Sequence, residues 1–149
     1  MAASDFPQFP VRMSIVSVPA HLPVVRSAVE RLCELMGFAE EDRGGIVLSV
    51  DEALTNVIKH AYHGDDDKPI EIVLRPTESA GQAALSIEVR DWGDVAEPAQ
   101  IRSRDLEDVR PGGLGVHIMS SCMDEVTYTP APDAGTVLTM LKRLNQRNG

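Results

Sequence analysis

From Ile46 to Ala61 the apolar residues keep helical time. Ile46, Val50, Leu54, Val57 and Ala61 fall three or four apart, with Val47 and Ile58 beside them. That spacing marks one buried stripe on a helix. On the same clock, about 100° per residue, Glu52, Asn56, Lys59, His60 and His63 gather on a second, polar stripe. The predicted helix runs from Glu40 to Tyr62, and the pair Gly44-Gly45 predicts a bend in its first half. Upstream, "HLPVVRSAVERLCELMG" reads as another helix. Pro23 is tolerated in its first turn, Val25, Val29, Leu32 and Met36 form its apolar face, and Gly37 supplies its stop.

The remaining pattern is shorter in period. "RMSIVSVP" alternates and predicts a first strand, Arg12 to Val18. "IEIVLRP" and "ALSIEVRD" predict an antiparallel hairpin, joined through a longer loop, "TESAGQA". "DEVTYTP" and "GTVLTMLKRL" predict a second antiparallel pair near the end. Between these pairs, Val95 to Arg104 reads as a loop with room for a short helix, and "IRSRDLEDVRPG" as a mobile charged segment. "GGLGVHIMSSCM" then opens a helix with glycines at its entrance. The order β-α-α-β-β-(α)-α-β-β places strand neighbours in hairpins rather than in βαβ crossovers. It predicts an α+β fold: a two-layer α/β sandwich, with a mixed, mostly antiparallel sheet covered by helices on one face. No internal repeat is visible. Residues 1–11 read as a flexible tail, 12–144 as one domain and 145–149 as a frayed end.

Composition narrows the partners. The 149 residues suit one domain with a real core, and 43% hydrophobic with 25% charged residues is ordinary for a soluble protein. Aromatic residues are only 4%, so the core is expected to be aliphatic. A net charge of -9 makes nucleic acid and anionic membranes poor partners, and no basic patch offsets it. Cys33 and Cys122 cannot form a disulfide framework and read as buried free thiols in a reducing cytosol. The start lacks a signal-peptide pattern and no apolar run has the length of a membrane span, so a cytoplasmic protein is expected.

Three places hold candidate chemistry. On the polar stripe, Glu52 can act as a general base, the Asn56 amide oxygen suits Mg²⁺, and the Lys59 ammonium can meet a phosphate. Alone, these residues are equally an ordinary solvent face. In "RDWGD", Asp91 ends a strand where Gly93 permits a turn. Its carboxylate can accept a hydrogen bond from an exocyclic amine such as that of adenine, or serve merely as a turn residue. In "RPGGLGVHIM", Gly112, Gly113 and Gly115 stand at a helix entrance, where free N–H groups and the helix dipole can hold an anion. A flexible hinge is the plainer reading. Asp65 to Asp67 in "HGDDDKP" read as a solvated turn rather than a metal site. His60 and His63 find no further ligands in the sequence to build a metal site.

The order and spacing of these pieces resemble the GHKL ATPase superfamily: Glu-x3-Asn on a helix, Asp-x-Gly after a strand, Gly-Gly-x-Gly opening a helix, and "GT" in the last strand. The resemblance covers residues 12 to 144. "DEALTNVIKHAY" is similar to the corresponding box of the small anti-sigma factor serine/threonine kinases, which consist of one such domain.

That resemblance implies a cytoplasmic, ATP- and Mg²⁺-dependent kinase with a Bergerat-type fold. Glu52 would take the proton from a serine or threonine hydroxyl of a partner. Asn56 would coordinate Mg²⁺, and Lys59 or His60 would lie near the phosphates. Asp91 would bind the adenine amino group, supported by Thr136 through a water, with Gly93 letting the base approach. Arg110, Gly112, Gly113, Leu114 and Gly115 would form the end of an ATP lid and a phosphate nest, with Arg102, Arg104 and Arg110 reaching the γ-phosphate. Arg26 would contact a partner. The implied partners are an anti-anti-sigma-type antagonist and a sigma factor or similar regulator, and the implied assembly is a homodimer. One departure is visible: "DWGDVAEP" has Val95 where the family's second glycine falls, and valine disfavours positive φ. It motivates an alternative, a nucleotide-gated binding module without turnover. Trp92 reads as an exposed turn residue or, alternatively, as a packing lid over the base.

Overall fold

The computed structural model describes residues 9–94 and 118–145. Five strands, β1 (Val11–Val16), β2 (Pro69–Ser79), β3 (Gln82–Arg90), β4 (Glu125–Pro130) and β5 (Thr136–Arg143), form one sheet of order β1-β2-β3-β5-β4. Every pairing is antiparallel, a narrower outcome than the mixed sheet expected. Between β1 and β2 lie α1 (Leu22–Met36) and α2 (Glu40–Asn56). Residues 118–122 are also helical.

Register places the apolar residues on one face. Met13 pairs with Ile72, Ile72 with Val89 and Val89 with Leu138, so one alternating set crosses four strands. Ile70, Ile72, Leu74, Leu85, Ile87 and Met140 on that face are fully buried. Against them pack Val25 and Val29 of α1 and Ile46, Val50 and Leu54 of α2, also fully buried. Each such side chain removed from water contributes roughly 1.5–3 kcal/mol. The core is aliphatic, as composition predicted. Burial pushes the Cys33 thiol up to about 12, which leaves it inert, while Cys122 is half-buried.

The helix ends follow local chemistry. Gly37 closes α1 at φ 93, its N–H donating to the Cys33 and Glu34 carbonyls. The Phe38 N–H also reaches the Cys33 carbonyl, and its buried ring completes a Schellman-type stop. Glu40, Glu41 and Asp42 fill the first turn of α2, where negative charge complements the helix dipole.

Several expectations need correction. The first strand covers Val11–Val16 rather than Arg12 to Val18. α2 runs unbroken through Gly44 and Gly45, without the expected bend. A Cβ at Gly45 would lie 3.2 Å from the Cys122 Cβ, so this glycine lets the 118–122 helix approach closely. "TESAGQA" is no long loop: β2 and β3 continue through it to a two-residue turn, with Ala80 at φ 53 and Gly81 at φ 77. Pro76 is tolerated in β2 because the β1 pairing stops at Leu74, so its missing N–H removes no bond to β1. The second helix does not remain α-helical to Tyr62. After Asn56 it widens into a π turn, Val57–Ala61. The expected helix at "GGLGVHIMSSCM" is described only from residue 118, and the segment Val95 to Arg104 lies outside the described residues.

Candidate active site

The π turn reshapes the polar stripe. The Tyr62 N–H donates to the Val57 carbonyl, and the Gly64 N–H to the Ile58 carbonyl. Val57 and Ile58 both stay buried, and the Ala61 carbonyl is freed for another donor. A single π turn inside a helix is a recurring mark of functional sites. Glu52 and Asn56 lie before it, one α turn apart, about 6 Å along the axis, and both are half-buried. Lys59 and His60 lie within it and are exposed, so the 100° clock that grouped them with Asn56 no longer holds. His63 lies beyond it at φ 52, paired through Nε2 with the Asp94 carboxylate.

The loop after β3 lies flat against this turn. The Asp94 N–H donates to the freed Ala61 carbonyl (3.1 Å), and the Trp92 N–H to the Tyr62 hydroxyl (2.9 Å). The Gly93 N–H donates to the Asp91 carboxylate (2.9 Å), and the Asp91 N–H to the Thr136 carbonyl (3.1 Å). A Cβ on Gly93 would stand 2.3 Å from the Ala61 oxygen, and one on Gly135 2.0 Å from the Asp91 oxygen. The need for glycine at 93 therefore comes from the backbone of the π turn, which the sequence reading had assigned to approach of a base. Gly135, which that reading did not single out, stands in the "GT" it quoted.

Asp91 and Thr136, distant in sequence, are brought together at the ends of β3 and β5. Asp91 is only 4% exposed. Burial pushes its carboxyl pKa above the ordinary value of 3.8, opposed by the N–H groups of Gly93 and Thr136 and by the Arg90 charge. The Thr136 hydroxyl oxygen is buried with no hydrogen-bond partner among the described residues. An acceptor carboxylate and an unpaired hydroxyl, side by side and out of water, are what a ligand amine and a bridging water would satisfy. Trp92 is 37% exposed, as expected for a turn residue, and Arg90 stacks 4.7 Å from its ring centre.

Arg26, expected at a partner surface, reaches from α1 to Asp51 (2.7 Å). It ties α1 to α2 at the residue before Glu52. Among the described residues no group of three or more His, Cys, Asp and Glu is placed to hold a metal. The Asn56 amide oxygen nonetheless suits Mg²⁺, which is commonly held by one protein ligand together with substrate phosphates. Arg110, Gly112, Gly113, Leu114 and Gly115, with Arg102, Arg104 and Val95, lie outside the described residues. Sequence reasoning also missed Tyr62, whose buried hydroxyl needed a partner and so gave a signal.

This fold places the chain in a class. Residues 15–142 match the histidine kinase-like ATPase domain family, and the chain belongs to it. Within that class it is similar to the serine-protein kinase RsbW of Bacillus pumilus (strain SAFR-032), 28% identical over 145 residues, covering 91% of this chain and 86% of the relative. RsbW of Bacillus subtilis (strain 168) is 26% identical over 143 residues, with the same shares covered. Among solved structures, the RsbU and RsbW domains of Rv1364c from Mycobacterium tuberculosis superpose with a TM-score of 0.66 at 18% identity, covering 94% of this chain and 34% of that one. The histidine kinase domain of the blue-light activated EL346 protein of Erythrobacter litoralis gives 0.50 at 22% identity, covering 87% and 62%. At those identities the two structures speak to the fold alone. No described helix is long and apolar enough to cross a membrane.

Proposed function

We propose that the protein is an ATP-dependent serine/threonine protein kinase of the anti-sigma factor type. It phosphorylates a small antagonist protein and sequesters a transcription regulator. The observation that carries the nucleotide reading is the buried Asp91 carboxylate beside the unpaired Thr136 hydroxyl. The kinase reading draws on the serine-protein kinase relatives, which align along 91% of the chain.

In this scheme Asp91 accepts a hydrogen bond from the adenine amine, and Thr136 holds a bridging water. Glu52 accepts the proton of the partner's hydroxyl as that oxygen bonds to the γ-phosphorus, and the bond to the β-γ bridging oxygen breaks to release ADP. Asn56 would hold Mg²⁺, which when bound would offset the charge of the phosphates. Lys59 and His60, exposed on the π turn, lie toward the phosphates. Arg110 to Gly115, outside the described residues, are assigned to the phosphates by the family resemblance alone.

Calorimetric titration of ATP, with and without Mg²⁺, tests the site. Wild type is expected to bind in the micromolar range, more weakly without Mg²⁺ and more weakly again as Asn56→Ala. Absence of binding in every condition would falsify the site. Phosphotransfer to a confirmed partner is expected to fall by about a thousandfold in Glu52→Ala. Undiminished transfer would remove Glu52 from the chemistry, and normal binding with no transfer at all would favour a nucleotide-gated module.

A further inference from the structure

The π turn and the loop after β3 meet through a side chain that this scheme does not use. Tyr62 is buried. Its hydroxyl donates to the Pro69 carbonyl at the start of β2 and accepts the Trp92 N–H at 2.9 Å. Burial, as the largest influence, raises the phenol's pKa, so the proton that bonds Pro69 stays in place.

The peptide plane explains what this contact controls. The Asp91 carbonyl and the Trp92 N–H belong to one rigid plane. On its carbonyl side the plane is packed against Gly135, where a Cβ would lie 2.0 Å from the oxygen. On its N–H side it is held by Tyr62. Fixing that plane holds the Cα and carbonyl carbon of Asp91, and with its N–H held by the Thr136 carbonyl it sets the direction of the Cα–Cβ bond that carries the carboxylate. The N–H groups of Gly93 and Thr136 hold the carboxylate itself, that of Asp94 acts three residues away, and the Tyr62 contact steadies the backbone from which the carboxylate departs.

We propose that Tyr62 is a positioning residue for base recognition: its hydroxyl, braced on Pro69 and holding the Trp92 N–H, aims the Asp91 carboxylate and so sets the preference for a base with an exocyclic amine. The proposal rests on the nucleotide reading of Asp91. It makes the link between two parts of the site covalent and short, since Tyr62 directly follows the π turn that extends the helix bearing Glu52 and Asn56.

Tyr62→Phe keeps the ring and removes the hydroxyl. The test compares equilibrium binding of ATP and of purine riboside triphosphate, which lacks the 6-amino group, in wild type, Tyr62→Phe and Asp91→Asn. Wild type should prefer ATP. In Tyr62→Phe that preference should shrink by about tenfold, most of the way to the Asp91→Asn value, while affinity for the analogue changes little. Equal weakening of both nucleotides, with the preference intact, would mean a merely structural tyrosine and would overturn the proposal. Wild type that binds ATP and the analogue equally would instead remove the base-recognition reading of Asp91, and this proposal with it. Hydrogen exchange at the Trp92 amide of wild type gives a readout that needs no variant: protection supports the bond to Tyr62, and exchange at the free-peptide rate refutes it.

Discussion

The two long helices lie side by side and are built to different standards. α1 presents a clean apolar face and stops where Gly37 takes a left-handed conformation. α2 buries Ile46, Val50 and Leu54 just as firmly, yet it never stops cleanly. It loosens into a π turn, leaves the Ala61 carbonyl for a loop, and keeps Glu52 and Asn56 half-buried. One helix packs and stops. The other divides its surface between the core and the proposed site, and its regularity gives way beside Glu52 and Asn56. Irregular backbone here is over-determined by partners rather than loose, because every N–H from Asp91 to Asp94 is taken.

This contrast can be broken from either side. The largest effect is expected from Gly93→Ala, whose Cβ would meet the Ala61 oxygen at 2.3 Å. The loop cannot then seat on the π turn, and ATP affinity should fall by a hundredfold or more, at a cost of about 2 kcal/mol in stability. Unchanged calorimetric binding would show that the seat is dispensable. Val29→Ala, in the fully buried face of α1, should do the reverse: about 2 kcal/mol lost in denaturant melts, with ATP affinity of the folded protein within about twofold of wild type.

Asp91→Asn separates the two roles at one residue. Its carboxyl pKa is raised, so the folded state holds that proton more tightly than the unfolded chain does. This group's stabilising contribution is fully present below the ordinary value of 3.8 and is lost as pH rises through the folded value. At neutral pH the ionised carboxylate therefore opposes folding. Asp91→Asn should weaken ATP binding by about tenfold or more while raising the melting temperature. A lower melting temperature at neutral pH would contradict the burial cost.

Smaller effects sharpen the picture. Gly37→Ala forces a side chain into φ 93 and should cost about 1 kcal/mol with no change in binding. Arg26→Ala breaks a partly exposed pair with Asp51, worth at most about 0.5 kcal/mol after solvent screening. A larger loss would mark that pair as a structural clamp between the helices.

What the sequence made legible follows the same division. α1 was readable to its last residue because one periodic stripe and one glycine specify it. The strands were readable from alternation, though β2 and β3 run further than their apolar centres. Thr77, Glu78 and Ser79 look like loop in isolation and become strand because the tight Ala80-Gly81 turn pairs them with β3. Asp91 was singled out by its place at a strand end and Thr136 by resemblance, and no local pattern tells that their backbones meet. The π turn was hidden because a fixed 100° clock presumes an α-helix. At Gly93 the sequence could not show a further constraint, the close approach of a backbone more than thirty residues earlier in the chain.

Trp92 is the only tryptophan in the chain, and it sits on the loop that Tyr62 and Ala61 hold, under the Arg90 guanidinium. Indole fluorescence will therefore speak for this one corner and not for the molecule. A melt followed by emission would register the loop lifting away, while circular dichroism would register loss of the sheet and helices. Coincident curves would mean that the corner and the core come apart as one cooperative unit. An earlier optical transition would mean that the protein can shed the corner around Asp91 while the rest stays folded.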